Sequence, residues 1–80
     1  MKITTLGYCC KKSVKNHENA VIAAKNLGIA PPENVSDFNE IMKYGVMATP
    51  ATVIDGKVVA TGRLLSVKQF EVLFAKAQKQ

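Results

Sequence analysis

The chain predicts an α/β domain in the order β-α-β-α-β-β-α, with a four-stranded mixed sheet flanked by three helices. Three observations carry this. Ala51-Thr52-Val53-Ile54 and Lys57-Val58-Val59-Ala60 are β-branched or apolar runs separated by Asp55-Gly56, a dipeptide that supplies the positive backbone angles of a tight hairpin turn. Lys11 to Leu27 contains neither Pro nor Gly and follows closely on a short apolar opening segment, which reads as a helix after a strand. Val67, Phe70, Leu73, Phe74 and Ala77 recur at helical spacing near the end of the chain.

The remaining elements follow in order. Lys2 to Leu6 reads as the first strand and runs into a loop at Gly7. In the first helix Ala20, Ala23, Ala24 and Leu27 form one apolar stripe, and Val14, Val21 and Ile22 form a competing one, with Gly28 a suitable C-terminal stop. If the alanines face the core, Val21 and Ile22 are partly exposed and available for self-association. Pro31-Pro32 limits the next element to a short edge strand reaching Val35. Asp37 with Glu40 three residues on resembles a capping box for a short helix through Ile41, Met42 and Tyr44, stopped by Gly45. Gly62 closes the hairpin, and Ser66 with Gln69 offers a second capping box before the final helix.

Composition narrows the function. One domain is expected from 80 residues, and 48% hydrophobic with 21% charged residues reads as globular rather than disordered. The opening lacks the apolar run of a signal peptide and no stretch approaches membrane-spanning length, so a cytoplasmic location with no membrane association is expected. The two cysteines are adjacent, which denies the long-range disulfide framework of a small secreted domain and agrees with a reducing compartment. The net charge of +5 is spread along the chain. It does not favour nucleic acid, because the aromatics Tyr8, Phe38, Tyr44, Phe70 and Phe74 mostly suit a core rather than base stacking. No phosphate loop, Ser/His/Asp set or paired carboxylates support phosphoryl transfer or hydrolysis.

Gly7 through Ser13, then Tyr44-Gly45-Val46-Met47-Ala48-Thr49-Pro50-Ala51, then Val53-Ile54-Asp55-Gly56-Lys57-Val58-Val59 and Gly62-Arg63, resemble the thioredoxin-like small redox-active disulfide proteins of archaea and bacteria. The likeness runs over nearly the whole chain and implies a glutaredoxin-sized thioredoxin fold. It implies that Pro50 is cis, with Thr49 opposite the active-site loop and able to pair its backbone with a substrate chain by strand addition. It also exposes a departure: the family's Cys-x-x-Cys is altered to Cys9-Cys10-x-x-Ser13, with the first family cysteine at Cys10, the second replaced by Ser13, and Cys9 as an extra thiol.

Cys10 is the expected nucleophile. A thiol at a helix N-terminus meets the positive end of the helix dipole and unpaired backbone N–H groups, and Lys11 and Lys12 add positive charge. Its pKa is therefore expected below the free value of about 8.5. Ser13 cannot act as a resolving thiol; its hydroxyl is left either to hydrogen-bond the Cys10 thiolate or to cap the helix. A Cys9–Cys10 disulfide would be strained, since adjacent Cα atoms lie about 3.8 Å apart against the roughly 4.4 to 6.8 Å usual for a disulfide. Such a bond suits a transient switch rather than a staple.

Three readings follow. The first is monothiol exchange on a protein or low-molecular-weight disulfide, with Cys10 attacking, no resident cofactor required, and glutathione or a reductase as electron donor; single-cysteine glutaredoxins, which keep Cys-x-x-Ser, are the relevant likeness. The second is capture of a thiophilic metal or metalloid such as arsenite or copper(I) by Cys9 and Cys10 together. The third is a redox-inactive binding module on the same fold. Tyr8 sits where it can shield the thiols or contact substrate, and Lys12 is the supporting cation within the turn. His17, two helical turns or about 10 Å from Cys10, reads as a surface or core-edge residue. Met42 and Met47 read as core filler. A homodimer is left open.

Overall fold

In the computed structural model, which describes residues 2–7, 11–46 and 48–78, the elements are β1 (Ile3–Leu6), α1 (Lys11–Asn26), β2 (Glu33–Val35), α2 (Phe38–Lys43), β3 (Ala51–Ile54), β4 (Lys57–Ala60) and α3 (Val67–Gln78). The strands form one sheet in the order β2-β1-β3-β4. β1 pairs with β2 in parallel and with β3 antiparallel, and β3 pairs antiparallel with β4. This is the mixed four-stranded α/β arrangement the sequence predicts.

Strand alternation assigns the two faces. Ile3 and Ile54 point to one side, where they meet Ala20, Ala23 and Ala24 of α1 and Phe70 and Phe74 of α3. The two rings are fully buried, with centroids 5.4 Å apart and planes tilted by 33°. Leu6, Ala51 and Val53 point to the other side and meet Ile41 of α2 and Val46. The alanine stripe is thus the buried face of α1: only small side chains allow the helix to approach α3 closely. Val14 and Ile22 stay exposed and Val21 is half-buried.

Local chemistry explains where the elements turn. Asp55 and Gly56 have φ of 52° and 80°, the paired positive angles of a two-residue hairpin loop. Ser66 and Gln69 form a reciprocal capping box at α3: Gln69 N donates to Ser66 Oγ at 3.2 Å and Ser66 N to Gln69 Oε1 at 2.9 Å. The α2 cap differs from the expected box. Asp37 accepts from Asn39 N at 2.8 Å, but Glu40 turns to Lys43 Nζ at 3.2 Å instead of reaching back to Asp37. An ion pair one turn along competes with the backbone for a long carboxylate.

The hairpin carries one irregularity. Ile54 faces Lys57 and Val53 faces Val58, yet Thr52 faces Ala60, so Val59 is an extra residue bulged out of the ladder. Val58 consequently packs with the α2-side cluster and Ala60 with the α3-side cluster. Two expected core positions are also corrected: Phe38 is 55% and Met42 49% exposed. Helix α2 has only six residues, and its single buried position is filled by Ile41, leaving Phe38 and Met42 on the solvent side.

Candidate functional site

The site is assembled at the C-terminal end of β1, where the chain enters α1. Lys11 is the first residue of α1, so the cysteine pair immediately precedes the helix in sequence. Tyr8, Cys9, Cys10 and Met47, named above as candidates or core filler, lie outside the described residues. The frame around them is described. Gly7 N donates to Val35 O at 3.0 Å, extending the parallel ladder by one residue to the mouth of the loop. Lys11 and Lys12 are exposed.

Ser13 lies in the first turn of α1 and is only 6% exposed. It packs directly on Gly7, where any added Cβ would collide with the Ser13 side chain; this close approach is what requires glycine there. The serine is inside the helix rather than at its N-cap, which removes the capping role, and its Oγ has no hydrogen-bond partner among the described residues. The alternative, a bond to Cys10, falls outside them.

Immediately before β3, the Thr49–Pro50 peptide bond is cis. Pro50 is buried and Thr49 half-buried. The segment is braced from behind: Arg63 N donates to Pro50 O at 3.2 Å, and Gly62, with φ of 63°, sits so close that an added Cβ would lie 3.1 Å from Ala48 Cβ.

Two polar features escape a reading by periodicity. His17 is half-buried, and its Nδ1 lies 2.7 Å from Thr5 Oγ1, which also approaches Asn34 Oδ1 at 3.1 Å. Thr5 has a single proton to share among Asn34 Oδ1, Glu33 O at 3.4 Å and His17 Nδ1, so the direction of its bond with His17 is set by the imidazole tautomer. These groups lie beside a cavity of about 270 Å³ lined by Gly7, Ser13, His17 and Asn34. Further along α1, Asn16 Oδ1 accepts from Leu65 N at 3.1 Å and Asn19 Nδ2 donates to Leu65 O at 2.8 Å. Two buried amides spaced one turn apart therefore grip both sides of one distant residue's backbone. The only signal in the sequence is that Asn16 and Asn19 are spaced i, i+3 and continue the line of Ala20 and Ala23 toward Ser13.

A mixed sheet in the order β2-β1-β3-β4, with α1 and α3 on one face, α2 on the other, a cis-proline before β3 and two cysteines ahead of α1, defines a thioredoxin-fold protein. Comparison with known proteins agrees. The thioredoxin domain family matches residues 1–75, and the chain belongs to that family. It is similar to a thioredoxin of Methanothermobacter thermautotrophicus, 30% identical over 76 residues that cover 94% of this chain and 99% of the relative. Membership supports a thioredoxin-type redox role. Among the described residues no helix is long and apolar enough to cross a membrane.

Proposed function

We infer that the protein exchanges thiols and disulfides through Cys10. The observation that carries this reading is positional: in a chain of the thioredoxin family, α1 begins at Lys11, so Cys10 is the residue next to the helix N-terminus, where thiolate is favoured over thiol. The Cys10 thiolate attacks one sulfur of a substrate disulfide; the S–S bond breaks, a mixed disulfide forms, and the other sulfur leaves as a thiolate that takes a proton from water. Because residue 13 is serine, an external thiolate of the glutathione class attacks the substrate sulfur of the mixed disulfide. That step forms a new disulfide between donor and substrate and returns Cys10 as thiolate. Thr49 and Pro50 present backbone to the substrate, Lys11 and Lys12 favour the anionic sulfur, and Cys9 is a second thiol beside the nucleophile. The substrate is a protein or small disulfide, and no resident cofactor is needed.

The test is reduction of hydroxyethyl disulfide by glutathione, measured alongside thiolate absorbance from pH 4 to 10, in wild type, Cys9→Ser and Cys10→Ser. We expect Cys10→Ser to abolish turnover and remove a thiolate transition below about pH 8, while Cys9→Ser keeps both. Equal loss of a tight arsenite or copper(I) complex in the two variants, with no turnover in wild type, supports the two-thiolate clamp. Two ordinary thiols and no turnover support the binding module.

A further inference from the structure

Beyond the thiol itself, the fold fixes the backbone of a cationic residue, Arg63. After β4 the chain passes Thr61 and Gly62 and lays residue 63 against the cis-proline segment, with Arg63 N bonded to Pro50 O at 3.2 Å and Gly62 hard against Ala48. The Arg63 backbone is therefore anchored to the ledge along which a substrate chain runs in the reading above. Its side chain is exposed.

The described carboxylates are engaged elsewhere or lie elsewhere. Glu33 pairs with Lys2 and Glu40 with Lys43. Asp37 caps α2, Asp55 accepts from Lys2 N, and Glu71 accepts from Asn26. Glu18 borders the cavity beside His17. Arg63 instead borders an open cavity of about 410 Å³ whose other walls include Thr61, Leu65, Gln69 and Leu73. Donors and apolar side chains line it, with no acid among the lining residues. A guanidinium is a planar fork of donors that matches a carboxylate with two parallel hydrogen bonds.

We propose that Arg63 and the groove beside it form a subsite for a carboxylate carried by the disulfide substrate, which makes Arg63 a specificity-determining residue. The proposal rests on the exchange reading above. The carboxylate belongs either to an acidic residue flanking the cysteine of a peptide or to a small disulfide, and the same fork accepts both.

The experiment uses the whole chain as wild type, Arg63→Gln and Arg63→Lys. Values of kcat/KM are measured for dithiodipropionate against neutral hydroxyethyl disulfide, and for two disulfide-linked peptides differing by Glu or Gln beside the cysteine. In wild type the carboxylate member of a pair is preferred, and Arg63→Gln lowers that preference about five- to tenfold. Arg63→Lys recovers part of it, and salt weakens it in wild type. A preference only in the peptide pair assigns the site to acidic peptides, and one only in the small pair assigns it to small disulfides. An unchanged preference in Arg63→Gln overturns the proposal. If wild type reduces none of the four, the exchange reading has failed. Binding of S-methylated Glu and Gln peptides then decides the subsite alone: an affinity difference that disappears in Arg63→Gln sustains it, and equal affinities overturn it.

Discussion

The two halves of α1 are buried by opposite means. Its C-terminal half lays Ala20, Ala23 and Ala24 against the Phe70 and Phe74 rings in an apolar seam. Its earlier stretch, following the cysteines in sequence, buries Ser13, Asn16 and Asn19. There the Asn16 and Asn19 contacts to Leu65 are directional hydrogen bonds, while Ser13 Oγ and Asn16 Nδ2 are buried without partners among the described residues. Apolar burial needs no matching of donors to acceptors, whereas each buried polar atom must be paired or carry a cost. The difference places the anchor of the fold far from the chemistry and leaves spare hydrogen-bonding capacity close to it. Functional sites are where such departures from full satisfaction collect.

The largest effect is expected where the packing is driest. Phe74→Ala removes a fully buried ring and should lower stability by about 3–5 kcal/mol, read as a shifted denaturant midpoint at unchanged slope. A loss below about 1 kcal/mol would mean that the seam is not the anchor. A middle effect belongs to the amide clamp. Asn19→Ala leaves Leu65 O without its bond and should cost about 1–3 kcal/mol. Asn16→Ala should cost less, because it removes an unpartnered Nδ2 together with the bond to Leu65 N; the reverse order in the same unfolding series would break the comparison. The smallest effect is expected at Ser13. Ser13→Ala deletes a hydroxyl with no described partner and should change stability by no more than about 0.5 kcal/mol. A larger loss in the reduced protein would show that the hydroxyl is bonded within the cysteine loop.

The same contrast explains what the sequence made legible. The hairpin, the order of elements and the aromatic face of α3 were readable because turn chemistry and apolar period are local signals: Asp55-Gly56 dictates its own geometry, and Phe70, Leu73 and Phe74 mark a face without reference to the rest of the chain. The choice between the two stripes of α1 was not readable, since it depends on how closely α3 approaches. The amide clamp was hidden for a related reason. Asn16 and Asn19 look like ordinary polar helix residues until Leu65, more than forty positions away, is brought beside them. Phe38 and Met42 were misplaced because α2 is too short to bury more than one position. The expectation of a thiol site rests on spacing and likeness, Cys9 and Cys10 lying outside the described residues, whereas nothing in the sequence sets Arg63 apart until its backbone is seen bonded to Pro50.

The bulge at Val59 acts as a geometric offset between the two ends of the hairpin. By inserting one residue into β4 but none into β3, it exchanges the side to which the strand's later half points, so a strand that starts by serving the α2 layer finishes in the α3 layer. The chain then leaves the sheet on the line that carries Gly62 and Arg63 to Pro50. Register at the Asp55-Gly56 turn and the position of the Arg63 backbone at the opposite end are thereby one linkage: paired residue for residue without the bulge, β4 would set Val59 against Thr52 and Ala60 against Ala51, turning Ala60 into the α2 layer and shifting the approach of Arg63 to Pro50.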